Sequence, residues 1–255
     1  MTDDSNHLSL NGVRLGYARW TQPGTALPIL LLHEGLGSVA MWRDFPARLA
    51  RACGRTVIAW SRQGYGDSDL RAAPRDPDYM HREAALLPAL FASLEIERAH
   101  LFGHSDGATI ALLAAADDRA QQIASLALAA PHVFVEQVTI DGITAIRERY
   151  DELAPKLGRY HRDAAHVFYG WNDIWLDPRF RDWNIEAVLQ QITVPTLLIQ
   201  GVDDEYATMA QLDRIERGVR GPVQRLELAA CGHSPHREQT AQVLTALRDH
   251  LAALP

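Results

Sequence analysis

Cysteine is nearly absent: 255 residues include only Cys53 and Cys231. A small secreted scaffold stapled by disulfides needs more, so the expectation is two reduced thiols in a cytoplasmic protein. Clustered basic charge is missing too. The net charge is −7 and no Lys/Arg patch stands out, which excludes the basic face of a nucleic-acid binder. No apolar run approaches the ~20 residues that span a membrane. The segment Met1–Leu10 is polar and acidic, without the basic start and apolar stretch of a signal peptide. Internal repeats and low-complexity segments are also lacking. These absences leave a cytoplasmic chain with no nucleic-acid and no membrane partner.

What is present is apolar substance: 47% of the residues are hydrophobic, enough for one core with a small appendage. Asn11-Gly12 between the alternating segments Leu8–Leu10 and Val13–Trp20 predicts a hairpin with a type I′ turn. Short apolar runs then predict strands at Pro28–His33, Thr56–Trp60, Ala99–Gly103, Ile123–Ala129, Thr196–Gln200 and Val223–Leu228. Between them lie helical patterns at Val39–Ala52, Tyr79–Leu94 (bent at Pro88), Asp106–Ala116, Tyr206–Arg217 and Gln239–Ala253. Wholly apolar strands alternating with helices imply an α/β fold with a mostly parallel, doubly wound sheet. From Pro131 to about Val194 no clear strand appears, and aromatic residues are dense. A structureless loop of that length is unexpected, so this stretch reads as a helical insertion over the edge of the sheet where active sites form.

Gly103-His104-Ser105-Asp106-Gly107 follows a predicted strand and opens a predicted helix. Such a turn exposes a serine Oγ in a strained conformation, with the helix N-terminus facing the reacting centre. A serine hydroxyl needs a base. His233 is preferred and His236 is the rival, because Gly232 and Pro235 frame a loop around His233. The acid that orients the imidazole is Asp204, with Asp203 the alternative, since the loop must turn before presenting it. The chain order is serine, acid, histidine. His33-Glu34-Gly35-Leu36-Gly37 follows an early buried strand and can supply an oxyanion N–H from Gly35, or second from Leu36. The other donor is the N–H of Asp106.

These pieces, with Ser61-Arg62-Gln63-Gly64-Tyr65-Gly66-Asp67-Ser68, resemble the α/β-hydrolase superfamily over nearly the whole chain. The resemblance implies an α/β-hydrolase fold, with a core over 1–131 and 195–255 and a helical cap over 132–194 between the sixth and seventh strands. It implies a Ser105–His233–Asp204 triad and a mainly structural Arg62–Ser68 loop. Two positions depart from the family pattern. Glu34 stands where glycine is common, and a carboxylate there opposes a developing oxyanion unless it turns away and pairs, for which Arg62 is the candidate. Asp106 follows the nucleophile, as in the biphenyl-hydrolase-like amino-acid-ester hydrolases, where the acid resembles an anchor for a substrate ammonium.

The expected reaction is hydrolysis of a small-molecule carboxylic ester through an acyl-Ser105, with no metal and no cofactor, by a monomer or homodimer. Glu34, Phe168, Trp171 and Trp175 are the expected pocket residues. The same triad serves carbon–carbon bond hydrolysis, lactone opening, thioester or amide cleavage and peracid formation. Serine at 105 excludes an aspartate-nucleophile dehalogenase or epoxide hydrolase. A non-catalytic small-molecule receptor on the same scaffold is the rival from another class.

Overall fold

The computed structural model describes residues 6–254. The first five residues of the acidic N-terminal segment, and Pro255 at the end of the expected core, lie outside them. Eight strands form one sheet among the described residues: β1 (Asn6–Leu10), β2 (Val13–Trp20), β3 (Ile29–Leu32), β4 (Val57–Trp60), β5 (Ala99–His104), β6 (Ile123–Ala129), β7 (Thr196–Gly201) and β8 (Val223–Leu228). Their order is β1-β2-β4-β3-β5-β6-β7-β8. The β1–β2 and β2–β4 pairs are antiparallel and the rest parallel. The hairpin turn has Asn11 at φ 52° and Gly12 at φ 80°, the two positive angles a type I′ turn requires.

Strand period 2 divides the core into two layers. Leu30, Leu32, Ile58 and Trp60 face one layer, and Ile29, Leu31, Val57 and Ala59 face the other. The first layer is closed by α2 (Tyr79–Ala85), α3 (Leu87–Ser93), α4 (Asp106–Ala116) and α8 (Ala210–Gly218). The second is closed by α1 (Phe45–Cys53), the short α9 (Pro235–Glu238) and α10 (Thr240–Ala252). Every residue of α4 from Asp106 to Ala114 is buried. Its small side chains let the helix lie close against the strands.

Two expected helices are shorter than their patterns. The pattern over Val39–Ala52 breaks at Arg43, whose φ of 54° is incompatible with a helix; a 3₁₀ turn (Ala40–Trp42) precedes it and α1 follows. Helix α8 starts at Ala210 rather than Tyr206, because Thr208 is drawn out to the Glu136 carboxylate. The bend expected at Pro88 is a full break between α2 and α3 at Leu86.

Between β6 and β7 the chain is helical: α5 (Gln137–Arg147), α6 (Tyr150–Leu157), α7 (Ala164–Trp175) and two 3₁₀ turns. The loops after β3, β5, β7 and β8 emerge beneath this insert at the C-terminal edge of the sheet, where strand order reverses around β3.

The fold buries histidines in neutral form. Burial lowers His100, which is bonded through Nδ1 to the Ser125 hydroxyl, to about 4. Burial and the neighbouring His233 lower His132 to about 3. In the unfolded chain each binds a proton near pH 6.5, so between 6.5 and 4 the unfolded state holds more protons. Stability is present above pH 6.5 and is lost below it, by up to about 1.4 kcal/mol per pH unit for each such group. Melting scans should show Tm falling steeply from pH 7 to 5, with a shallower slope in His100→Gln; a flat Tm would contradict this account.

Candidate active site

Ser105 has φ 54° and ψ −119°, a corner of backbone space that residues with a Cβ rarely adopt. Such strain costs about 1–3 kcal/mol and persists only where the surroundings over-determine it. Here they do. The Ser105 N–H donates to the Ala129 carbonyl at the end of β6 (2.9 Å), and the Ser105 carbonyl accepts from Ala108 (2.8 Å) and Thr109 (3.1 Å) in α4. Gly107 is required by packing, since a Cβ there would lie 2.0 Å from the Leu32 carbonyl oxygen. A Cβ on Gly103 would meet the Gly107 oxygen at 2.4 Å. The two glycines let α4 close tightly on β5 and on β3, which projects the serine.

His233 Nε2 lies 3.0 Å from Ser105 Oγ, and His233 Nδ1 lies 2.9 and 3.0 Å from the two Asp204 oxygens. Asp204, on the loop after β7, also accepts from the Tyr206 N–H (2.9 Å). The two sequence alternatives point elsewhere. Asp203 is exposed. His236 is buried against Trp42 and Phe45 behind the site. Burial opposes the charge of Asp204, but His233 and the Tyr206 N–H outweigh it and hold the carboxyl below its ordinary value. Burial likewise opposes the imidazolium of His233, yet Asp204 outweighs it and raises the histidine above 6.5. A serine hydroxyl, an imidazole able to take its proton and a carboxylate that fixes Nδ1–H are thus hydrogen-bonded in line.

The loop after β3 faces the same serine. Gly35 and Leu36 line the cavity over Ser105, and neither N–H has a partner among the described residues. The N–H of Asp106, first in α4, has no intrahelical acceptor. The charges beside this loop differ from expectation. Arg62 does not pair with the Glu34 carboxylate. Its Nη2 donates to the Glu34 main-chain oxygen (2.8 Å) and lies 4.0 Å from Asp106 Oδ2. Tyr79 donates its hydroxyl to the same Asp106 oxygen (2.8 Å). The Asp106 side chain is therefore enclosed beneath the elbow, 1% exposed, where it cannot anchor a substrate ammonium. The Glu34 carboxylate instead lies 3.8 Å from His104 Nδ1, while His104 Nε2 donates to the His233 carbonyl (2.7 Å).

The model of the alpha/beta hydrolase family matches residues 29–246. The chain belongs to the alpha/beta hydrolase family. A proline iminopeptidase of Levilactobacillus brevis is 27% identical over 220 residues, covering 69% of this chain and 73% of that protein. The human serine hydrolase BPHL is 28% identical over 249 residues, covering 91% of this chain and 81% of that protein. Among solved structures, a proline iminopeptidase of Mycobacterium smegmatis superposes with a TM-score of 0.80 at 19% identity, over 98% of each chain.

In this alpha/beta hydrolase the insert and the sheet edge enclose a cavity of about 350 Å³ over Ser105. Trp171, Trp175 and Glu34 line it, as the sequence suggested. Phe168 does not: it is fully buried behind Trp171, packed on Tyr150 and Tyr169, because on α7 it faces the insert's own core. Sequence reasoning missed Ile143 and Ile146 of α5, Leu153 and Leu157 of α6, and Tyr206, whose ring centroid is 4.8 Å from that of His233. The i, i+3 and i, i+4 spacing of the aliphatic pairs was the available signal. Among the described residues no group of three or more His, Cys, Asp or Glu side chains is placed to hold a metal ion.

Removing the Arg62 cation leaves Asp106 charged and buried. Arg62→Met should lose about 3–5 kcal/mol of stability, and adding Asp106→Asn should recover part of it. Urea titration checks this; an unchanged midpoint would mean that Tyr79 alone satisfies Asp106.

Proposed function

We propose that this alpha/beta hydrolase cleaves a small-molecule carboxylic ester through an acyl-Ser105 intermediate. The observation that carries the reading is the line of hydrogen bonds from Ser105 Oγ through His233 to Asp204. Ser105 Oγ attacks the carbonyl carbon and its proton passes to His233 Nε2. Asp204 keeps the Nδ1–H tautomer and stabilises the imidazolium. The N–H of Asp106, with that of Gly35 or Leu36, holds the oxyanion. On collapse the alcohol leaves with the proton from His233. Water, deprotonated by the same imidazole, then attacks the acyl carbon, and free acid and Ser105 are restored. The helical insert over residues 132–194 acts as a lid whose aliphatic and indole side chains take the apolar part of the substrate.

Amide cleavage is the second reading. It is favoured by the name of the proline iminopeptidase relative and by the Glu34 carboxylate in the cavity, which suits an α-amino acyl group. An amino-acid ester compared with its N-acetylated form separates the two: equal kcat/KM removes the amine from recognition.

A fluorophosphonate should label Ser105, and Ser105→Ala should lower turnover of short p-nitrophenyl esters by several orders of magnitude. Absence of labelling, or equal activity in the variant, would mean that the three residues are not used and the receptor reading takes first place. The base must be neutral to act, and the folded protein raises His233. The acid limb of kcat/KM should therefore have its midpoint above 6.5, falling tenfold per unit below it. Asp204→Asn should move that limb down while reducing kcat roughly 10⁴-fold, since the tautomer is no longer held.

A further inference from the structure

Charged side chains of both signs line the cavity over Ser105. Three cationic side chains line it: Arg43 from the link between β3 and α1, Lys156 from α6, and Arg237 from α9. All three are exposed, and none makes a side-chain hydrogen bond or ion pair among the described residues. The carboxylates nearby, Glu205 and Glu34 of the lining included, have partners of their own. Asp44 pairs with Arg48 (3.6 Å), Glu238 accepts from the N–H groups of Gly232 (2.7 Å) and Ser234 (3.0 Å), and Glu205 accepts from the His233 N–H (3.1 Å). Deeper in, Asp106 is enclosed by Tyr79 and Arg62, and Glu34 lies against His104.

Arg43 carries a second, independent sign. Its φ of 54° and ψ of −123° put it in the same strained corner as Ser105. Glycine would hold that link without strain, and the Arg43 side chain returns no polar contact to the fold. Strain kept at a residue facing a site points to use at the site. Lys156 is the only lysine in the sequence. It follows Leu153 by three positions and precedes Leu157, so α6 presents two aliphatic side chains and one ammonium to the same cavity.

We propose that the substrate is an ester bearing a carboxylate remote from the scissile carbonyl, read by Arg43, Lys156 and Arg237. The proposal rests on the serine-hydrolase reading and adds the substrate's charge and shape. The ester sits at Ser105, an aliphatic stretch lies along Ile143, Ile146, Leu153 and Leu157, and the carboxylate meets the cations at the solvent edge. Exposed cations free of ion pairs at a cleft also draw in anionic ligands, an effect that salt weakens.

Three ethyl esters of one chain length test it: monoethyl adipate, ethyl hexanoate and ethyl 6-aminohexanoate, ending in carboxylate, methyl and ammonium. The expected kcat/KM order is carboxylate, methyl, ammonium, with roughly a tenfold step between the first two that shrinks in 0.5 M salt (a screening length of about 4.3 Å). Arg43→Gly should collapse the carboxylate-to-methyl ratio toward one and raise Tm by relieving the backbone, and Lys156→Met should lower the same ratio. A ratio near one in the wild type, a preference for the amino ester, or a higher Tm in Arg43→Gly with the ratio intact overturns the proposal. So does fluorophosphonate labelling of Ser105 without turnover of the half-ester. Failure of both labelling and all turnover is a different result, which removes the hydrolase reading itself.

Discussion

The approach of α4 to β3 at Gly107 is the constraint on which the site depends. With no side chain at that position, the helix closes to a distance at which a Cβ would overlap the Leu32 carbonyl. The closure forces Ser105 into its strained turn, and the Ala129 carbonyl clamps it there. Everything else is placed relative to this turn. Leu32 ends β3 and leads into the loop that offers free N–H groups beside Ser105. The parallel order β5-β6-β7-β8 then brings the ends of β7 and β8, with Asp204 and His233, to the same edge. The strain at one residue is thus supported by the register of most of the sheet.

Two acids, Glu34 and Asp106, lie beside Ser105, and their charge needs the same degree of control. Asp106 is handled by enclosure: a cation and a phenol close on its side chain under the elbow. Glu34 is handled by direction. Its main-chain oxygen is held by Arg62 and by His33 Nδ1–H, which turns the side chain toward His104 rather than toward the free N–H groups. Arg62 therefore serves both acids from one buried position, one through a carboxylate and the other through a backbone carbonyl. Losing it would disturb the elbow and the neighbouring loop together.

How much of this was legible in the sequence depends on the range of the interaction. Local rules sufficed for the strands, the Asn11-Gly12 turn and the elbow, because turn geometry and strand periodicity are set within a few residues. The serine, acid and histidine were legible because each follows a strand at the same edge. Partner choice for Glu34 was not, since Arg62 and His104 are both near it in space and only the packed loop decides between them. Phe168 looked like a pocket residue on aromatic content alone. Its helix face, which turns it toward Tyr150 and Tyr169, depends on how α6 and α7 pack. The break at Arg43 ran against a regular helical pattern and had no local signal.

A hydrogen-bonded serine, histidine and aspartate are indifferent to what leaves from the carbonyl carbon, so they cannot by themselves separate an ester from an amide or a lactone. Selection has to come from groups that differ in strength of contact between candidate substrates, and the side chains lining the cavity around Ser105 come largely from the insert and the links around it. The insert meets the loop after β3 at two points: a Cβ on Gly35 would lie 2.2 Å from the Trp171 indole, so α7 rests directly on the backbone beside Ser105, and His161 Nε2 donates to the Leu36 carbonyl (2.9 Å). Away from those contacts, α5 and α6 present aliphatic side chains over the same cavity, and three exposed cations, Arg43, Lys156 and Arg237, also line it. The serine–histidine–aspartate line and most of the cavity's apolar lining therefore come from different parts of the chain, in contact at Gly35 and Leu36. Changes in α5 and α6 can re-shape that lining while the strained serine and its supports stay fixed, and the fold itself is kept at 19% identity in the solved proline iminopeptidase.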